Sequence, residues 1–151
     1  MSISIQNEAN VVMAPAQLSS GGTAQMWFDR IGFDYAEVDV VCGVLSTSGG
    51  FPSVCRITES DATVISNFTT ITGGSATMNA SIGESVTKFQ IDLRNRKRYI
   101  NLDVTNGTTT LVVGAVARLH RAGQSKDTAA AQSVTNKAST STTAVSQIVR
   151  F

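Results

Sequence analysis

An antiparallel all-β sandwich is the fold this sequence predicts, and three observations predict it. Between about residues 25 and 119, apolar and polar residues alternate in short runs, the period of two that a half-buried strand requires. Clusters of Gly, Asn and Ser separate these runs, and no stretch carries the spacing of an amphipathic helix. Only 15% of the 151 residues are charged, against 42% hydrophobic, where an ordinary soluble domain has about 25% charged. Low charge with much Val, Thr and Ser suits a β domain with part of its surface covered by something other than water. The length suffices for one domain and one core. Residues 23–120 are assigned to the sandwich, 1–22 to an extended N-terminal arm, and 121–151 to an extended polar C-terminal tail.

The elements follow in order. Residues 1–22 alternate at Ser2, Ile3, Ser4 and Ile5 and turn apolar at Val11, Val12 and Met13. Pro15 and the Ser19, Ser20, Gly21, Gly22 cluster then break the pattern, so this stretch reads as an arm or a short edge strand. Residues 23–31, with Met26, Trp27 and Phe28, make the first core strand. Residues 36–45 follow, with Val38, Val40, Cys42 and Val44 on one face and Val41 and Leu45 on the other, a strand covered on both sides. A Gly-rich turn over 46–52 leads to a strand at 53–58. Residues 62–71, rich in Thr, Val and Ile, also read as β, and 73–83 as a loop. In 86–93, Phe89, Ile91 and Leu93 point inward and Lys88, Gln90 and Asp92 outward. Ile100, Leu102 and Val104 do the same over 99–104. Asn106-Gly107 is the strongest local signal, because Asn-Gly supplies the positive φ angles of a tight type I′ hairpin; its partner strand runs from 109 to 119. Val40, Cys42, Phe89, Ile91, Ile100, Leu102 and Val113 are expected to share one core. Seven or eight strands without a 20–50-residue repeat argue against a propeller or solenoid.

Composition also excludes functions. A net charge of +1 gives no global field for nucleic acid or an anionic membrane, and 6% aromatics are too few for base-stacking platforms. The longest apolar runs fall far short of the roughly 20 residues of a membrane span. No basic, apolar leader opens the chain, so synthesis in a reducing cytoplasm is expected and Cys42 and Cys55 read as buried thiols. Neither cysteine has a Cys-x-x-Cys or His-x-x-x-His companion, so no metal site is expected. Asp34, Glu37 and Asp39 read as a solvated strand end, and Asp92 and Asp103 as outward groups in surface ion pairs on adjacent strands. His120, the single histidine, stands between Arg118 and Arg121, which disfavour the imidazolium a general base must become. No nucleophile elbow or phosphate loop is present. No catalytic residue and no cofactor are assigned.

Two segments stand out as partner contacts. Arg94, Asn95, Arg96, Lys97 and Arg98 make a basic turn in which Arg94, Arg96, Lys97 and Arg98 can pair with acids on a neighbour. The tail is nearly all Ala, Ser, Thr and Gln, yet its tip is Ile148, Val149, Arg150 and Phe151. These side chains bury enough apolar area to dock on another subunit, which makes the tail a tether.

Residues 98–119 add a resemblance. A basic residue, Tyr99, an alternating strand, the Asn106-Gly107 turn and a Val/Ala strand from Leu111 together resemble the final hairpin of small virion proteins of tailed bacteriophages. Head decoration, or cement, proteins are the nearest type. The resemblance implies a jelly-roll-like sandwich on the capsid surface of a virion, clamping adjacent capsomers. Its partners would be the major capsid protein and copies of itself, as a homodimer or homotrimer on the shell, with no nucleic acid and no membrane. A tail or fibre component, a small coat protein, or a carbohydrate-binding β-sandwich are the alternatives. The last wants exposed Trp and Tyr beside acids, and Trp27 lies within an apolar run.

Overall fold

Period-two alternation needs two facing sheets to bury its apolar side, and the computed structural model of the chain, which describes residues 8–44, 51–77, 84–121 and 145–150, has two. The strands are β1 (Glu8–Leu18), β2 (Thr23–Asp29), β3 (Tyr35–Val44), β4 (Pro52–Ser60), β5 (Thr69–Ala76), β6 (Glu84–Asp92), β7 (Tyr99–Asn106), β8 (Leu111–His120) and β9 (Val145–Arg150). One sheet has the order β1-β8-β3-β6-β9 and the other β2-β7-β4-β5. Every pairing is antiparallel except β6 with β9, which is parallel.

The core lies between the sheets. Along β8 burial alternates without a break: Leu111, Val113, Ala115, Ala117 and Leu119 point in. Val38 and Val40 of β3 and Phe89 and Ile91 of β6 lie on the same inner face and are fully buried. Met26 and Phe28 of β2, Ile57 of β4, and Ile100 and Leu102 of β7 meet them from the other sheet in one continuous cluster. All seven residues expected in the core belong to it. Cys42 and Cys55 sit there as buried free thiols, one from each sheet. Burial pushes the Cys42 thiol up to about 11, and Cys55 still higher, again mainly through burial.

Several expectations are corrected. Asn106-Gly107 does not close a hairpin. β7 and β8 lie in different sheets, and Asn106 does not have the positive φ that a type I′ turn needs. Asn106 is instead buried, and its Nδ2 donates to the carbonyls of Leu18, Ser19 and Thr109. It ties the β7–β8 arch to the β1–β2 connection, so the segment that carries the virion-protein resemblance is an arch between sheets.

Residues 8–18 are not a free arm. They form an edge strand on β8, and the pairing shifts register between Met13 and Ala16. Pro15 sits in that irregularity, as a residue without an N–H must unless it lies at a strand's start or on its solvent side. The segment read as β over 62–71 splits: residues 61–63 bend, Ile65–Asn67 make one 3-10 turn, and only then does β5 begin. Gly73 belongs to β5 rather than to a loop. It takes φ +79°, close to a second register shift, between Arg56 and Thr58. A Cβ on the neighbouring Gly74 would stand 3.0 Å from the Ile71 carbonyl oxygen, so both glycines are required by the backbone. Leu45 and residues 78–83 fall outside the described residues.

Leu102 is completely buried at the centre of the shared cluster. Leu102→Ala should destabilise the domain by about 2–5 kcal/mol in chemical denaturation. A change near zero would remove it from the core.

Candidate partner-binding surfaces

The inward side chains of the described strands pack into the core, so the surfaces open to a partner are the ends, edges and outer faces. The basic turn lies at the end where β2, β4 and β6 finish and β3 and β7 begin. There two of its four basic side chains are matched by acids of their own chain. Arg94 Nη2 reaches Asp92 Oδ2 at 2.5 Å, and Arg98 holds Asp29 Oδ2 with Nε at 2.9 Å and Nη2 at 2.8 Å. The Lys97 N–H donates to Glu59 Oε2 and its carbonyl accepts from Arg30 Nε. The Arg96 N–H donates to the Leu93 carbonyl. Arg94 holds the Asp92 carboxyl down at about 2, and Arg98 likewise lowers Asp29. Two of the four basic side chains, Arg94 and Arg98, are thus engaged by acids of their own chain, and the backbone of Arg96 and Lys97 is hydrogen-bonded into the corner.

The tail's tip has a place within its own chain. Val145–Arg150 pairs in parallel with β6, setting Ile148 opposite Lys88, Val149 opposite Phe89 and Arg150 opposite Gln90. The described end of the predicted tail, residues 145–150, is thus an edge strand of the five-stranded sheet, and residues 122–144 lie outside the described residues. Phe151 lies outside the described residues.

The outer face of the five-stranded sheet divides in two. One half is charged: Arg118 Nη1 meets Asp39 Oδ2 at 2.7 Å, and Lys88 Nζ lies 3.4 Å from Asp39 Oδ1 and 3.6 Å from Glu37 Oε2. Glu37 and Asp39, read as a strand end, therefore stand mid-sheet inside an ion-pair network. The other half is apolar. Val12 and Val41 are 65% and 48% exposed. With Pro15, Val86, Gly114 and Val116 they line a shallow groove of about 590 Å³. Its floor is low because Gly114 has no side chain and Pro15 packs over it, Cγ lying 3.4 Å from where a Cβ would be. The sequence put Val41 on the second face of β3, but a covered face was expected, and this one is open to water.

The outer face of the four-stranded sheet is largely polar, with an aromatic pair, Trp27 and Tyr99, at one end. Trp27 is 50% exposed. The run Met26, Trp27, Phe28 looked uniformly apolar, yet period two sends Met26 and Phe28 into the core and Trp27 out, between Gln25 and Asp29. That flanking pair was the signal available in the sequence. Tyr99 meets Trp27 edge to face at 5.9 Å between centroids, and Arg98 covers the Tyr99 ring at 5.0 Å. Next to Trp27 across the strands lie Asn101 and Thr58, joined by Asn101 Nδ2 donating to Thr58 Oγ1 at 3.1 Å. The adjacent row sets Asp103 against Arg56, whose Nε and Nη2 both reach Asp103 Oδ2. Asp92 and Asp103 were expected side by side; they lie in different sheets, and Asp103 is nearly buried.

Among the described residues no three His, Cys, Asp or Glu side chains are grouped to hold a metal ion, and no helix is long and apolar enough to cross a membrane. His120 packs its ring against Tyr35.

Two predictions follow from the ends and edges. Asp92 titrates at about 2 when folded, against an ordinary 3.8, so its ion pair contributes above pH 4 and is lost as pH falls from about 4 to about 2. Asp92→Asn should flatten stability across that window, by a small amount because the pair is solvent-exposed; acid titrations followed by circular dichroism measure it. Removing residues 145–151 should speed amide exchange along β6, among residues 86–90. Unchanged protection there would mean that β9 does not pair with β6.

Compared with models of known protein families and with curated proteins, the chain matches none.

Proposed function

We propose that the chain is a structural virion protein, a jelly-roll sandwich that binds the outside of a phage capsid and stabilises it as a decoration or cement protein. The observation that carries this reading is the nesting of strand pairs. β1 pairs with β8, β2 with β7, β3 with β6, and β4 with β5. This is one long hairpin rolled up, closed by β3 with β8 and β4 with β7. Such an order is that of a jelly roll, an architecture used in viral capsid and lectin domains.

The groove of Val12, Val41 and Val116 supplies the partner surface. Solvated apolar area favours a protein neighbour, and its charged border of Asp39, Lys88 and Arg118 would set register rather than affinity. The neighbour in this reading is the major capsid protein, with copies of the chain meeting as dimers or trimers on the shell. The basic corner and β9, at an end and an edge of the same sandwich, are secondary contacts. The role is mechanical and needs no catalysis or cofactor.

Val41→Lys tests this. The side chain is half exposed, so the fold should survive, while occupancy on purified particles should drop at least about tenfold. Quantitative mass spectrometry of virions should find the wild-type chain in hundreds of copies, as a shell-covering protein requires. A few copies per particle would point to a tail or fibre component. Wild-type occupancy by Val41→Lys would overturn the groove as the contact.

A further inference from the structure

We propose that the outer face of the four-stranded sheet is a carbohydrate-binding platform centred on Trp27, with neutral oligosaccharides as its ligands. This inference stands whether or not the chain sits on a capsid.

The face presents one large, half-exposed apolar surface on an otherwise polar field. The Trp27 ring is braced edge to face by Tyr99, and Tyr99 in turn by Arg98, which Asp29 holds. A braced aromatic ring loses little freedom when a ligand stacks on it. Beside it Asn101 and Thr58 are buried and locked to each other, a rigid floor rather than a ligand contact, and the exposed Thr70 continues the row onto β5. Four strands at about 4.8 Å spacing make this row roughly 14 Å wide, enough for two to three sugar rings. Gln25, on the next row beside Asp103, is exposed and has amide donors and an acceptor to offer.

Charge decides the ligand class. The cations on this face are spoken for: Arg56 by Asp103, Arg98 by Asp29. The exposed side chains on the rows around Trp27, among them Thr23, Gln25, Thr70 and Ser75, offer hydroxyl and amide groups rather than charge. A pyranose ring matches this surface. Its C–H face is apolar and lies on an indole, and its hydroxyls donate and accept around the edge. The opposite sheet's outer face, with exposed valines beside the ion-pair network of Glu37, Asp39, Lys88 and Arg118, presents no indole. The two outer faces therefore suit different partners.

Trp27 is the chain's one tryptophan, so its fluorescence reports the site directly. The full-length protein would be titrated with a panel of neutral gluco-, galacto- and manno-configured trisaccharides up to roughly 10 mM, since weak sites of this kind bind in the millimolar range. At least one should give a saturable spectral change, and backbone amide shifts should map to residues 23–29 and 99–103. Trp27→Ala, read by those amide shifts, should weaken binding at least about tenfold. Gln25→Ala, at an exposed position that the fold does not need, should weaken it less, and Val41→Lys on the opposite sheet should leave it unchanged. No response to any trisaccharide, or binding undiminished in Trp27→Ala, would overturn the proposal. So would loss of self-association or particle retention in Trp27→Ala without any sugar response, which would make the face a protein contact. Failure of Val41→Lys to alter particle occupancy bears on the capsid reading alone.

Discussion

Burial of one face of each sheet against the other governs everything else in this molecule. Phe89, Ile91, Ile57 and Leu102 leave no water between the sheets. Any slip of one residue in a strand would turn that strand's apolar set outward. The register is therefore fixed, and with it the outward set. Trp27 faces solvent because Met26 and Phe28 must not, and Val41 faces solvent because Val40 and Cys42 must not. The surface chemistry is the remainder left by the core, and it differs between the sheets because the remainders differ.

The same constraint explains what could be read from the sequence. Alternation placed the inward residues of β3, β6 and β7 correctly, since period two is a local property of each strand. It could not say to which sheet a strand belongs. A strand following Asn106-Gly107 looks the same whether the chain folds back in the same sheet or arches across to the other. Here the arch prevails: the amide of Asn106 satisfies carbonyls from both crossing connections, a long-range use that outweighs the local turn preference. Pro15 misled in the same way, because a proline that ends most strands is tolerated in the bulge of an edge strand. The tip of the tail was not legible as a strand. Ser, Thr and Ala tracts read as an arm, while the strand at their end pairs with β6 through backbone groups that any sequence possesses.

Of the candidate sites, the basic turn was the most visible and became the least open. A cluster such as Arg94, Arg96, Lys97 and Arg98 advertises charge, but Arg98 is held by Asp29, 69 residues away, as Arg94 is by Asp92 beside it. Counting charges along a sequence cannot reveal such compensation. It also clarifies why so few charges suffice: the side-chain carboxylates of Asp29, Asp39, Asp92 and Asp103 are each matched by a nearby arginine, leaving little net field to steer a partner. On the proposed reading, recognition then comes from shape and from apolar or hydroxyl chemistry at short range.

That conclusion constrains orientation. The two sheets are back to back, so their outer faces point in opposite directions about 10 Å plus two side-chain layers apart. A neighbour seated in the valine groove covers Val12, Val41 and Val116 and cannot reach Trp27. If the groove holds the chain against a larger surface, the Trp27 face is directed away from that surface by geometry alone. One small sandwich can then attach with one sheet and sample its surroundings with the other, and neither task competes with the core that separates them.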